Sequence, residues 1–207
     1  MGELFFFRIG VYLKEFAADT FFETGTGYGF GVQFARIFPF KQIFSVDIVA
    51  SEIQRLLPAF SSDPRVHLIA GRSTDAMRQV LPQVPGNMIF WLDAHFPGAH
   101  HGLQAYGAET DIDTRLPLEQ ELALIKELRP GKRDVILIDD LRIYETDKFE
   151  WGNMNQIGQT GLGKTDSRFL YTTFQETHDA YRFLNHSGYF ALIPKPLTPP
   201  AAAPSAT

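Results

Sequence analysis

The chain has 207 residues, 44% of them hydrophobic, a formal net charge of -5 and no cysteine. That length suits one domain with a real core rather than two, and the mild acidity gives no electrostatic reason to expect nucleic acid or an anionic membrane as partner. Without thiols there can be no disulfides and no thiolate metal sites, so any metal must rest on Asp, Glu, His or backbone oxygen.

Taken in chain order, apolar residues at Ile9, Leu13 and Phe16 follow helical spacing and predict a leading helix within 3–16. The apolar run 4–7 has no basic stretch before it and is interrupted by Arg8, which argues against a signal peptide or membrane span and makes a cytoplasmic protein the expectation. Strand-length apolar runs follow at 20–23, 42–48, 66–70, 88–93 and 135–139. Helix-compatible segments lie between most of them, at 32–38, 51–60, 73–81 and 118–128. The last carries Pro117 at its first turn and a stripe of Leu118, Leu122, Ile125 and Leu128. Stretch 144–166 is rich in Gly, Asn, Gln and Lys and reads as a long loop. A strand at 169–173, a helix at 176–185 and a strand at 189–194 are expected to complete the domain, which ends near residue 195. The Pro/Ala-rich tail 196–207 is expected to be disordered. Continuous apolar strands separated by helices imply an α/β fold, a mostly parallel sheet of six to seven strands covered by helices on both faces.

The most informative stretch is Glu23-Thr24-Gly25-Thr26-Gly27-Tyr28-Gly29-Phe30-Gly31. An apolar strand runs into it and an amphipathic segment follows, the arrangement of a turn that lets backbone approach a nucleotide at a helix N-terminus. A second acid, Asp47, closes the neighbouring run, where open α/β sheets hold a ribose by its hydroxyls. The dinucleotide spacing Gly-x-Gly-x-x-Gly/Ala fails in both frames, since the last position is Phe30 counting from Gly25 and Val32 counting from Gly27. Such a turn also occurs for packing alone.

Glu-x-Gly-x-Gly-x-Gly, with an acid at the end of the second strand, resembles the first two motifs of the class I S-adenosylmethionine-dependent methyltransferases. The resemblance spans about residues 20–140 and implies a Rossmann-like class I methyltransferase fold with S-adenosylmethionine as cofactor. By it, Glu23 and the turn of Thr24, Gly25, Thr26, Gly27 and Gly29 hold the methionine end and Asp47 the ribose, with Ser73 and Asp93 completing the cofactor-binding set. That family usually places a further helix before a final two-strand hairpin. Here the helix reads as falling between the last two strands, a departure from the pattern.

The fourth apolar run ends Trp91-Leu92-Asp93-Ala94-His95 and the fifth Leu137-Ile138-Asp139-Asp140. At adjacent strand tips, three carboxylates and an imidazole would converge beside the glycine turn. Acids that close repel unless protons or a cation neutralise them, and a hard divalent ion takes such oxygens readily. The two motifs look like those of the metal-dependent O-methyltransferases, particularly the macrocin type that methylates deoxysugar hydroxyls. The resemblance implies Mg²⁺, or another divalent cation, held by Asp93, Asp139 and Asp140. Asp93 also stands where the general base is expected, and His95 is either a base or a packing partner. The implied partner is a small-molecule acceptor such as a sugar or glycan precursor, with self-association left open. Helix capping or a salt bridge after a strand is the lesser alternative for Asp139 and Asp140. Two other functions fit the residues: a metal-dependent hydrolase using Asp93, His95, Asp139 and Asp140 on a water, or a non-catalytic module that keeps only the pocket.

Loop 96–116 carries His100, His101, Tyr106, Asp111 and Asp113 among glycines and reads as a substrate lid. His67, His178 and His186 read as structural. The stretch 158–165 matches the phosphate-loop pattern Gly-x-x-x-x-Gly-Lys-Thr, but no buried strand precedes it and no helix follows, so a glycine loop is the simpler expectation.

Overall fold

The structure, a computed structural model, describes residues 3–156, 158–159, 161–164 and 166–197. A 3-10 turn at Leu4–Phe6 precedes α1 (Ile9–Phe16), the short leading helix expected within 3–16. Then come β1 (Ala18–Thr24), α2 (Phe30–Ala35), β2 (Gln42–Asp47), α3 (Ala50–Phe60), β3 (Val66–Ala70), α4 (Ser73–Val80) and β4 (Asn87–Leu92). After α5 (Ile112–Arg115) and α6 (Leu118–Leu128) follow β5 (Val135–Ile138), α7 (Arg168–Thr172), β6 (His178–Phe183) and β7 (Tyr189–Pro194). Helix α2 starts two residues before its predicted position, on a Gly29 cap with φ of 81°. It stops before Phe38, which precedes Pro39 and is thereby disfavoured in helical geometry.

The sheet order is β3-β2-β1-β4-β5-β7-β6, with β7 antiparallel to both of its neighbours and the first five strands parallel. Alternate residues of the central strands face opposite layers. Phe22, Met88, Phe90, Ile136 and Ile138 pack under α4 and α6 with Met77, Leu122 and Ile125. On the other face Phe21, Ile89, Trp91, Val135 and Leu137 pack against Ile9, Phe16, Val32, Leu56 and Phe60 from α1, α2 and α3. Both faces are therefore covered, as the unbroken apolar runs demand.

The C-terminal third corrects the sequence reading in two places. Residues 169–173, expected as a strand, lie mostly in α7, and 178–183, expected within a helix, form β6. Phe169, Tyr171 and Thr172 favour strand locally, but Leu170 is fully buried in the core, and the hydroxyls of Thr172 and Thr173 donate to the carbonyls four residues back. Strand β6 is an edge strand, exposed at every position after His178, so the two-residue alternation that would have announced it is missing. The helix precedes a β6–β7 hairpin, so the departure inferred from the sequence does not exist. From residue 198 onward the tail lies outside the described residues.

The lower ends of β4 and β5 are joined by a buried ion pair that the sequence did not announce. Arg129 Nη2 stands 2.8 Å from Asp134 Oδ1 and its guanidinium also donates to the carbonyls of Leu81, Val84 and Gly86. Asp134 in turn accepts from the Met88 amide at 2.7 Å. Removing one partner strands the other charge in the core, so Arg129→Met is expected to cost about 3–5 kcal/mol in urea denaturation. A loss below about 1 kcal/mol, the size of a surface ion pair, would contradict this account of the hub.

Candidate functional site

Strand β1 lies between β2 and β4, which makes it the point where the sheet's winding reverses, and a crevice opens beyond its carboxyl end. The backbone crosses that opening at Gly25, where φ is 80° and an added Cβ would stand 2.5 Å from the Asp93 carbonyl oxygen. Only glycine lets the tips of β1 and β4 come so close. Gly31 has another reason to lack a side chain, because a Cβ there would collide with the Glu23 carboxylate. The Gly27 amide donates to Asp47 Oδ2 at 3.0 Å and the Val49 amide to Oδ1 at 2.9 Å, so Asp47 shapes the turn as well as facing the cavity. Its remaining lone pairs are free to accept hydroxyl donors.

The resulting cavity measures about 320 Å³. Of the residues predicted to hold a cofactor, Glu23, Gly25, Thr26, Gly27, Asp47, Ser73 and Asp93 line it. Thr24 and Gly29 do not. The Thr24 hydroxyl turns away to Glu121 at 3.4 Å, and Gly29 caps α2 against Phe60 and Leu56. Sequence reasoning missed Gly71 and Arg72, which follow β3 into the same crevice, and Tyr28 beside the glycine turn. Gly71 and Arg72 were within reach, since β3 is parallel to β2 and must end on the same side. Loop 96–116 does form one wall, through residues including Pro97, His100, His101 and Asp113. It is latched there: the Tyr28 hydroxyl donates to the His100 carbonyl at 3.3 Å, His101 Nδ1 stands 3.5 Å from Glu52 on α3, and Arg55 lies over the Tyr28 ring.

Several acids are buried around this cavity. Glu23 accepts from Ser45 Oγ at 2.5 Å, and Ser45 is hydrogen-bonded to Thr26 Oγ1 at 2.7 Å. Burial, helped by the charge of Asp47 and opposed by the Ser45 bond, pushes the Glu23 carboxyl up to about 8. Behind the turn, Glu121 of α6 is fully buried and burial pushes it up to about 7, against hydrogen bonds from Ser73 and Thr24. Its Oε1 has no hydrogen-bond partner.

Past β4 and β5 stands the acidic corner predicted from the sequence. His95, its side chain only 5% exposed, sits between two aspartates, with Nδ1 3.5 Å from Asp93 Oδ1 and Nε2 2.9 Å from Asp140 Oδ2. Burial and the charges of Asp139 and Asp140 hold Asp93 well above the usual carboxylate range. Burial with Asp140 likewise brings Asp139 up to about 6. For Asp140 burial works upward too, but the His95 bond and the charges of His95 and Arg142 outweigh it and hold the group below its ordinary value. Asp139 Oδ1 accepts from Ser187 at 3.4 Å, while its buried Oδ2 has no partner. The backbone is strained on both sides of this corner: Phe96 and Asp140 lie at positive φ, 44° and 49°.

The resemblance implies a magnesium ion on Asp93, Asp139 and Asp140. The ligand-capable atoms that lie within 4.8 Å of one another among the described residues are instead those of His95, His100 and Asp140. Magnesium prefers an octahedron of oxygens, and two imidazoles with one carboxylate do not match it.

Among the described residues, the phosphate-loop-like stretch does not line the cavity. Lys164 Nζ is bound to Glu119 Oε2 at 2.8 Å and lies over the Phe169 ring, and Thr160 and Thr165 lie outside the described residues. His178 Nε2 donates to the Asp134 carbonyl at 2.9 Å, and His186 stacks on Trp151 with ring centroids 4.6 Å apart, so both support the fold. Among the described residues no helix is long and apolar enough to cross a membrane.

No protein-family model and no curated protein sequence matches this chain. Solved structures do match it. The S-adenosylhomocysteine-bound methyltransferase PaMTH1 of Podospora anserina superposes with a TM-score of 0.59 at 14% identity, over 90% of this chain and 76% of that one. A candidate caffeoyl-CoA O-methyltransferase of Staphylococcus aureus gives 0.58 at 13% identity, over 94% and 85%. A candidate rRNA methylase of Clostridium thermocellum gives 0.56 at 17%, over 91% and 95%. The chain has the class I methyltransferase fold. The helix-then-hairpin ending is thus the expected one for this fold.

The buried Glu121 gives the fold a pH signature. In the folded chain it holds its proton up to about 7, whereas the ordinary value is 4.5. The stabilisation is therefore complete below the ordinary value and is lost as pH rises through the folded one. Glu121→Gln should flatten that decline, so that urea denaturation above pH 7 favours the variant relative to its position below pH 4.5. An unchanged pH profile would show that Glu121 titrates normally.

Proposed function

We propose that the chain is an S-adenosylmethionine-dependent methyltransferase acting on a hydroxyl oxygen, its acceptor a sugar or similar polyol. One observation carries this reading: the Glu23, Gly25, Gly27 and Asp47 cradle and the Asp93–His95 pair open into the same cavity. Cofactor and acceptor can therefore meet without a domain movement. The structural neighbours support the cofactor, since PaMTH1 was solved with its demethylated product. The motif resemblance and the polar lining from His100, His101, Asp113 and Thr114 support a hydroxyl-bearing acceptor.

In this reading the turn orients the methionine end, Asp47 accepts the ribose hydroxyls, and the ionised Glu23 faces the cofactor's positive charge. The cofactor, when bound there, would supply a sulfonium methyl to the acceptor oxygen, its sulfur keeping the electron pair of the broken carbon–sulfur bond. The acceptor's proton passes to the Asp93 carboxyl, which, raised by burial, is a stronger base than a solvated aspartate. A divalent cation bound at this corner would lower the acceptor's pKa and relieve the repulsion among Asp93, Asp139 and Asp140.

Calorimetry with S-adenosylmethionine, ATP and NAD side by side tests the cofactor, and only the first should bind. Asp47→Ala removes a hydrogen-bond acceptor and should weaken that binding about 10- to 100-fold. Gly27→Val, which adds a side chain at the cavity wall on a backbone held at φ 54°, should do the same in a variant that still folds. Wild-type affinity in both folded variants would put the cofactor elsewhere. Asp93→Asn should lose methyl transfer by about 100-fold or more, the range for losing a general base.

A further inference from the structure

The corner beyond β4 and β5 has a hydrogen-bonding problem that protons alone do not solve. His95 Nε2 faces Asp140 Oδ2 at 2.9 Å and His100 Nε2 at 3.4 Å. A ring nitrogen carries at most one hydrogen, aimed in the ring plane, so it cannot serve a carboxylate and a second imidazole together. Three atoms that each offer a lone pair to one point instead describe the ligands of a cation. Atoms bonded to a common ion at about 2.0–2.1 Å stand roughly 2.9–3.4 Å apart, from cis-octahedral to tetrahedral geometry. The two separations from His95 Nε2 span that interval; the His100–Asp140 edge is wider, and ligand-capable atoms of all three residues lie within 4.8 Å of one another.

The surroundings are those of a built site. The second nitrogen of His95 lies 3.5 Å from Asp93 Oδ1, the neighbour that a carboxylate–imidazole–metal relay uses to fix a ligand's tautomer. Asp140 Oδ1 accepts from Arg142 Nε at 3.2 Å, which leaves Oδ2 for the ion. Asp140 is also held in the left-handed region, at φ 49° and ψ 49°, a conformation kept where the surrounding structure enforces it.

We infer that His95 Nε2, His100 Nε2 and Asp140 Oδ2 form a binding site for a first-row divalent transition ion such as Zn²⁺ or Co²⁺, with Asp93 orienting His95 rather than ligating. Two imidazoles and one carboxylate suit such ions better than magnesium, which prefers oxygen. Three protein ligands leave coordination positions open to the cavity. His100 belongs to the 3-10 turn Ala99–His101, so the ion also ties the cavity wall of loop 96–116 to the sheet. The inference deepens the proposed function by naming the ion class and its ligands, but it rests on the geometry of this corner alone.

The test uses the full chain, stripped with chelator and titrated with Co²⁺, Zn²⁺ and Mg²⁺ separately, with S-adenosylmethionine affinity measured on the same samples. Co²⁺ should give visible d–d bands at one equivalent, and Co²⁺ and Zn²⁺ should bind at least about 100-fold more tightly than Mg²⁺. His100→Gln, at a partly exposed loop position whose loss should not unfold the chain, should abolish the bands and weaken Zn²⁺ by more than about 10-fold, and Asp93→Asn should weaken it about 10- to 100-fold. His67→Gln, in β3 and away from the corner, should change nothing. The inference is overturned if Mg²⁺ binds as tightly as Co²⁺, if His100→Gln leaves Co²⁺ bands and affinity intact, or if Asp139→Asn abolishes binding while His100→Gln does not. Cofactor binding without any transition-ion binding would sink the metal site and leave the methyltransferase reading standing. The reverse result would do the opposite.

Discussion

The approach of β1 to β4 at Gly25 is the constraint on which the site depends. With no Cβ at Gly25, the chain leaving β1 passes within contact of the Asp93 carbonyl, so the glycine turn and the acidic corner share one cavity. Register then places everything else. Glu23 lies beside Ser45 on one flank and Trp91 on the other, and Asp93 and Asp139 continue the parallel pairing through amide bonds to Thr24 and Leu92 carbonyls. Parallel strands end on the same side, so each carboxylate that follows an apolar run is delivered to one crevice.

Burying so many acids has an electrostatic consequence. Glu23, Asp93, Glu121 and Asp139 all have their carboxyls raised, in each case chiefly by burial. Perturbed acids gathered at a cleft mark functional sites more often than structural ones. Here they form two groups. Glu23 stands under the glycine turn, where a ligand's positive charge would draw off its proton, and the aspartates surround an imidazole. Charge that arrives in either place is met by groups already positioned and shielded from water, which strengthens every such interaction.

The candidate site was more legible in the sequence than the end of the fold. Glu23, the glycine spacing and Asp47 could be read because each performs a task that few residue types can: passing backbone closely, ending a buried strand, accepting hydroxyls. Strand β6 and helix α7 could not, because an edge strand has no buried face to impose alternation and α7 buries a single leucine. There local propensity and tertiary packing disagree, and packing prevails. Arg129 and Asp134 were silent for a related reason, since a buried ion pair looks like two surface residues until both partners are seen together.

By itself the sequence determined the central parallel sheet, the two covered faces, and which strand tips carry acids, because burial on both faces writes unbroken apolar runs into the chain and leaves the polar residues at their ends. Tertiary structure alone decided which of those acids meet. His100 lies in a loop whose position depends on the latch to Tyr28, His101 and Glu52, and the convergence of His95, His100 and Asp140 depends on strand order and on two strained backbone positions. Contacts between residues 40 or more positions apart, His95 with Asp140 among them, leave no periodic trace, because periodicity reports only the environment of one element at a time.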